Sequence, residues 1–154
     1  MQQPTANAPK HGFTVTHPFH CATPIQMRFN DIDSLGHVNN MIYFSYFDMG
    51  RVDYFTRAGR QEFKMQHPPV MIANLNCNFL AQTHWGEPIE VLTQVDHLGT
   101  SSLVMYQHLV NRDTREVKCS CASVMVHLSP DDFTPAPITD EWRQLIADFE
   151  QRDM

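Results

Sequence analysis

The sequence contains no uninterrupted apolar run that approaches the roughly 18 residues needed to cross a membrane. Residues 1–20 lack both the charged-then-apolar order of a secretory signal and the Arg/Ser bias of a transit peptide. The four cysteines show neither CxxC spacing nor a disulfide framework. We therefore expect no membrane association, no export, reduced thiols and a cytoplasmic location.

Basic residues are few and dispersed. The chain has 11 Lys and Arg against 17 Asp and Glu, with a formal net charge of −6, and no basic patch that would attract nucleic acid. Nine histidines could suggest a metal site, but none forms an HxxxH or HExxH pair. The sequence therefore predicts no nucleic-acid partner, no metal site and no metal cofactor.

A chain of 154 residues is long enough for one well-buried core and too short for two comfortable domains. Residues 1–23 combine Pro, Gln, Asn, His and Thr with few apolar residues, which is typical of a flexible N-terminal tail. We expect residues 24–154 to form a single domain. Its first strand is predicted in "PIQMRFND", where Ile25, Met27 and Phe29 alternate with polar residues.

A long buried helix is predicted over residues 41–58, because the apolar side chains spread almost all round the helix. Asn39 or Asn40 is suited to cap its start and Gly59 to end it. Four strand patterns follow, and the short connectors "WGEP", "LGTS" and "NRDTRE" predict an antiparallel meander. The segment "TDEWRQLIADFEQ" has the apolar spacing of a short amphipathic helix, with Thr139 as its cap.

The same pattern predicts an assembly of several copies. A single sheet wrapped around one helix buries that helix only where the sheet reaches, so the remaining apolar surface and the sheet edges favour a homodimer or homotetramer. Asp48 and Arg51, three residues apart on the helix, are interpreted as a structural pair. Asn74, Asn76 and Asn78 share one strand face and would suit a polar groove at an interface.

The stretch "NDIDSLGHVNN", residues 30–40, places many polar side chains immediately before the long helix. The free N–H groups and the positive dipole end of a helix attract negative charge to this position. Asp31 and Asp33 stand just upstream, and either could cap a turn or the helix. Spacing alone does not decide which aspartate acts chemically.

Over roughly residues 24–128 the sequence has a predicted strand, the motif "DIDSLGHVNNMIYFSYFDMGR", a helix and a meander. This order and this motif resemble the hotdog-fold acyl-CoA thioesterases of the 4-hydroxybenzoyl-CoA thioesterase-like family. The "HVNN" segment is also similar to plant acyl-carrier-protein thioesterases. The resemblance implies an α+β hotdog fold, in which a curved antiparallel sheet wraps around a long central helix, and a homo-oligomer with its active site at a dimer interface. It further implies hydrolysis of an acyl-CoA thioester to free acid and CoA, without metal or other cofactor.

The resemblance also implies roles for particular residues. The catalytic carboxylate is the second acid of DxD, here Asp33, acting as general base or nucleophile, and the N–H that polarises the thioester carbonyl falls at Asn40. His37 could orient Asp33 or water, as the equivalent histidine does in the plant enzymes, or could only hydrogen-bond within the loop. Substrate contacts are expected from residues around the start of the helix: Gly36, Val38, Asn39, Met41 and Phe44.

Two alternative functions stay open. The first is the hydratase branch of the same fold, which adds water to an enoyl thioester. That branch places Asn-Pro between its Asp and His, whereas "SLG" separates Asp33 from His37 with a different spacing. The second is a non-catalytic module that binds acyl thioesters. The sequence identifies neither the acyl group nor whether CoA or a carrier protein bears it.

Overall fold

A computed structural model describes residues 13–59 and 69–154. Within them a curved antiparallel sheet packs against one long helix. The strands are β1 Cys21–Ile25, β2 Val70–Phe79, β3 Ile89–Leu98, β4 Ser102–Asn111 and β5 Val117–His127. The helices are α1 Asn40–Ala58 and α2 Asp140–Glu150, with a short 3-10 turn at Phe29–Asp31. None of the helices in these two ranges is long and apolar enough to cross a membrane.

The strand order is β1-β3-β4-β5-β2, and every neighbouring pair is antiparallel. This confirms the predicted α+β hotdog architecture but corrects the predicted meander, because β2 pairs with β5 and not with β3. The reason lies in the connector. Residues 80–88 are longer than a hairpin loop, and they carry the chain along the end of the sheet past β5 and β4. As a result β2 is an edge strand.

The first strand begins earlier than expected. It starts at Cys21, not Pro24, and ends at Ile25, because residues 21–25 pair along β3 from Thr93 to Ile89. The segment 13–20 has no helix or strand, yet Phe13 stacks on Tyr106 of β4 with 4.4 Å between ring centroids. The expected flexible tail therefore does not extend to residue 23. Residues 1–12 lie outside the described ranges.

Helix α1 begins and ends where its caps predict. The Asn39 side chain accepts a hydrogen bond from the Met41 N–H, and Gly59 follows the last helical residue. At Gly50 the helix lies close against the sheet, and an added Cβ there would lie 2.5 Å from Val91 Cγ1. Residues on the sheet side of the helix form the core: Tyr43, Tyr46, Phe47, Tyr54, Phe55 and Ala58.

The opposite side of α1 stays uncovered in the single chain. Met41, Met49 and Val52 are exposed there by 69%, 48% and 45%, because one sheet covers only one side of a helix. The predicted second helix is confirmed as α2, with Thr139 accepting from the Trp142 N–H. Apolar residues of α2 pack against the second half of α1: Trp142, Ile146 and Phe149.

Candidate active site

The "DSLGH" segment folds into a tight turn that ends beside the start of α1. Asp33 Oδ1 accepts a hydrogen bond from the Leu35 N–H at 2.9 Å, and the Gly36 N–H donates to Asp33 O at 3.0 Å. The turn closes where the Asp33 N–H donates to His37 O at 3.0 Å. Gly36 has φ +84°, a conformation that glycine adopts without steric cost.

The two aspartates of this stretch have different surroundings. Asp31 is 2% exposed, and its Oδ2 accepts from the Tyr46 hydroxyl at 2.6 Å and from the Arg28 N–H at 2.8 Å. Burial and this hydrogen bond to Asp31 raise the pKa of Tyr46, so its phenol stays a proton donor. Asp31 therefore serves local hydrogen bonding. Asp33 is only half-buried.

The start of α1 leaves its first backbone N–H without a partner inside the helix. Asn39 is the cap, and its side-chain oxygen occupies the Met41 N–H at 2.9 Å, while its own N–H donates to Asp31 O at 2.9 Å. The N–H group between these two, that of Asn40, is the first of the helix and has no intrahelical acceptor. Asn40 is exposed, and the helix dipole makes this position favourable for a developing negative charge.

A cleft of about 200 Å³ opens at this helix start. It brings together His37 of the turn, Asn40 and Tyr43 of the helix, and the end of β2 with the residues that follow it: Phe79, Leu80, Ala81 and Gln82. Tyr43 and Phe79 meet edge to face, with 5.3 Å between ring centroids. The cleft thus combines an apolar wall with a helix N-terminus, and Asp33 stands in the adjoining turn.

The cleft wall is held from behind by buried polar contacts. Thr83 O accepts from the Val38 N–H at 2.8 Å, and Thr83 Oγ1 accepts from the Tyr43 hydroxyl at 2.9 Å. Lys118 Nζ donates to Gln82 O at 3.0 Å and pairs with Glu87 at 2.9 Å. These contacts fix the connector 80–88 against both the turn and the helix, so the cleft has a defined shape.

The structure places the expected site residues unequally around this cleft. His37 and Asn40 line it, whereas Asp33 and the expected substrate contacts are not among its lining residues. Of those contacts, Met41 is 69% exposed and Phe44 is half-buried. The Val38 side chain is 1% exposed and belongs to the core.

Sequence reasoning missed most of the cleft wall. Tyr43 lies one helical turn after Asn40, so the helical period places it on the same face, and this signal was available. The residues after β2 gave no such signal, because only the pairing of β2 with β5 brings them to the turn.

Other reactive groups lie outside the cleft. Within residues 13–59 and 69–154, no three His, Cys, Asp or Glu side chains are grouped so as to hold a metal ion. All four cysteines are free thiols. Asp48 and Arg51 form the predicted pair, and Arg51, 7% exposed, also donates to Gln107 Oε1 at 3.1 Å.

Known proteins resemble this chain in sequence and in structure. The uncharacterized protein YsmA of Bacillus subtilis (strain 168) is 28% identical over 123 residues, which span 79% of this chain and 82% of that protein. A thioesterase from Thermus thermophilus, solved with coenzyme A and Zn, is 28% identical with a TM-score of 0.80, and the match covers 88% of this chain and 98% of that one. A putative acyl-CoA thioesterase from Xanthomonas campestris is 26% identical with a TM-score of 0.67, covering 79% and 100%.

The sequence profile of the thioesterase superfamily matches residues 35–118, which run from the "LGHVNN" turn through α1, β2, β3 and β4 to the start of β5. The profile thus spans more than half of the chain and all the residues that line the cleft. This chain belongs to the thioesterase superfamily.

Proposed function

We propose that the protein hydrolyses an acyl-CoA thioester to a free acid and CoA. Membership of the thioesterase superfamily supports thioester hydrolysis in general. The observation that carries the finer proposal is the cleft at the start of α1, where His37, Asn40 and an apolar wall meet. An acyl chain suits the apolar wall, and a thioester carbonyl suits the helix start.

The Asn40 N–H acts as the oxyanion donor. During attack on a thioester, negative charge grows on the carbonyl oxygen, and a fixed donor at a helix N-terminus stabilises that charge more than it stabilises the ground state. Because Asn39 caps the helix and occupies the next N–H, the Asn40 N–H is the donor that stays available. The side chain of residue 40 is not needed for this role.

Asp33 acts as general base or nucleophile. Only one of its carboxylate oxygens, Oδ1, accepts the Leu35 N–H that shapes the turn. The other oxygen, Oδ2, is the one we assign to water or to the thioester carbon. Carboxylates serve both roles in enzymes.

His37 supports the reaction from the cleft wall. Its Nδ1 lies 3.5 Å from Val38 O. A proton on Nδ1 directed at this carbonyl would leave Nε2 as an acceptor for a hydrogen of the attacking water. The side chain therefore has a supporting position, and Asp33 keeps the central role.

The active unit is a homodimer or a homotetramer. A cleft of about 200 Å³ is smaller than the roughly 300–1,000 Å³ of most ligand sites, so a second chain is needed to enclose a substrate. The edge strand β2 ends beside the cleft at Phe79. Among the described residues β2 is the outermost strand on its side of the sheet, and an open strand edge favours pairing with a second copy of the strand.

A hydrolysis screen tests the function. Straight-chain acyl-CoAs of increasing length, aryl-CoAs and an enoyl-CoA are incubated with the protein, and free thiol and hydrated product are measured separately. Thiol release from at least one CoA thioester is expected. Hydration without thiol release would favour the hydratase, and binding of acyl-CoA without turnover would favour the non-catalytic module.

Light scattering at micromolar concentration tests the assembly. Wild-type protein should have the mass of two or four chains, and Leu75→Lys, which places a charge on the β2 edge, should shift it toward the monomer. Leu75 is 38% exposed in the single chain, so the substitution should not disturb the fold. A wild-type monomer would contradict the proposal. The cytoplasmic location stays a prediction, which cell fractionation would test.

A further inference from the structure

Three of the four cysteines meet on the side of the sheet that faces α1. Cys77 lies on the edge strand β2, while Cys119 and Cys121 lie on its neighbour β5. The Sγ atoms of Cys77 and Cys121 are 2.8 Å apart. All three are free thiols, and none lines the cleft to which hydrolysis is assigned.

The strand register selects one of the two possible partners of Cys77. Cys77 stands directly opposite Cys121, whereas Cys119 stands opposite Phe79. Directly opposed residues of antiparallel strands have Cα atoms about 4.5–5.5 Å apart, within the roughly 4.4–6.8 Å span of disulfides. A diagonal pair such as Cys77 and Cys119 is about 7–8 Å apart and exceeds that span.

The three thiols also differ in exposure and acidity. Cys77 is half-buried on an edge strand, and Cys119 and Cys121 are both buried completely. Hydrogen bonding from Cys119 and Cys121 lowers the pKa of Cys77, and the nearby Arg51 lowers it further. Hydrogen bonding to Cys77 and burial raise the pKa of Cys121. Cys77 is thus the thiolate that a small oxidant reaches first.

We propose that Cys77 and Cys121 form a peroxide-responsive dithiol that closes to an intrachain disulfide. The Cys77 thiolate attacks one peroxide oxygen, the O–O bond breaks, and the hydroxide released takes up the proton that Cys77 had lost, leaving a sulfenic acid on Cys77. The Cys121 sulfur then attacks the Cys77 sulfur. The S–O bond breaks, and the departing hydroxyl group leaves as water with the Cys121 proton. Two thiols are oxidised and one peroxide is reduced to two waters.

The disulfide would tie the edge strand to the body of the sheet beside the cleft. Phe79, which lines the cleft, follows Cys77 by two residues on the same strand. The link would therefore restrain the strand end that forms the cleft wall. Neither sulfur takes part in the proposed hydrolysis, so this site stands whether or not the chain is an acyl-CoA hydrolase.

The experiment is peptide mapping of the full-length protein. Reduced protein is treated with hydrogen peroxide, the remaining thiols are alkylated, and the digest is analysed by mass spectrometry without reductant. We expect a cross-linked peptide pair joining Cys77 to Cys121, with two of the four thiols lost per chain and restored by dithiothreitol. Four thiols still present after peroxide would overturn the proposal, as would a link through Cys119 or a Cys77 link between two chains.

Matched variants separate the roles of the three thiols. Cys119→Ser should keep the cross-link, and Cys77→Ser should abolish it. Cys121→Ser should leave the Cys77 sulfenic acid without a resolving thiol, so dimedone should label Cys77 in this variant and not in the wild type. Equal dimedone labelling of Cys77 in both proteins would refute a resolving role for Cys121. The wild-type peptide map decides the proposal even if a variant fails to fold.

Discussion

Asp33→Asn and Asp31→Asn form a matched pair of substitutions. Both replace a carboxylate by an amide of the same shape, two residues apart in one loop. Their surroundings differ, because Asp31 is buried against Tyr46 and Asp33 is half-buried in a turn. The pair therefore separates loss of a reactive group from loss of a structural one.

Asp33→Asn should remove activity and leave stability nearly unchanged. The asparagine oxygen can accept the Leu35 N–H that Asp33 Oδ1 accepts now, so the turn is kept and the free energy of unfolding should change by less than about 0.5 kcal/mol. An amide neither removes a proton from water nor attacks a thioester. Loss of such a group typically lowers the rate by about 10² to 10⁴.

Asp31→Asn should show the reverse. Both hydrogen bonds to the Asp31 side chain end on Oδ2, and an amide oxygen there can still accept them, but without the charge that strengthens them. The cost in unfolding free energy should be about 1–2 kcal/mol. In a domain of this size that cost lowers Tm by roughly 2–8 °C. Activity should fall by less than about tenfold, because the turn that carries Asp33 is retained.

The measurements are steady-state kcat/KM on the acyl-CoA found by the screen and thermal melts, for the wild type and both variants. Together they show which aspartate takes part in the reaction. Similar kcat/KM losses in the two variants would refute the assignment of Asp33. An Asp33→Asn protein with unimpaired turnover would refute it as well. A large drop in Tm for Asp33→Asn would show instead that the turn depends on the charge.

Three further outcomes are expected. Gly50→Ala should destabilise by about 1–3 kcal/mol, seen as a lower Tm, because its Cβ would overlap Val91 Cγ1. Exhaustive chelation should leave thioester hydrolysis unchanged, and recovery of lost activity on adding zinc would contradict the mechanism. Burial raises the pKa of Glu150 above its ordinary 4.5. The contribution of Glu150 to the free energy of unfolding is therefore fully present below about pH 4.5 and is lost as the pH rises through the folded-state pKa. The Tm of Glu150→Gln relative to wild type should therefore increase between about pH 4 and pH 8, and parallel curves would refute this.

Local signals predicted the helices well. Asn39, Gly59 and Thr139 cap or end helices through their own backbone conformation and their nearest neighbours, and such information is present in a few consecutive residues. The pair of Asp48 and Arg51 is one helical turn apart and was equally readable.

Features that depend on strand pairing between distant parts of the sequence could not be predicted. The polar residues around Cys21 predict a tail, yet pairing with Thr93 makes Cys21 the first residue of β1. The place of β2 beside β5 was missed because connector length does not identify a strand neighbour. The cleft wall after Phe79 follows from that same pairing, so it could not be read from the sequence without the fold.

The DxD pair shows why spacing could not assign the aspartates. Asp31 is distinguished from Asp33 by the Tyr46 hydroxyl, which comes from the second turn of α1 and donates to Asp31. Asp31 O also accepts the Asn39 N–H, so one residue ties both the helix and the far end of the loop to a single point. The turn between these ends is held at its base, and Asp33 stands on it with one carboxylate oxygen engaged by Leu35. A reactive group needs a rigid support to stay in position. The contacts of the buried Asp31 supply that support for the turn that carries Asp33, to which we assign the reaction.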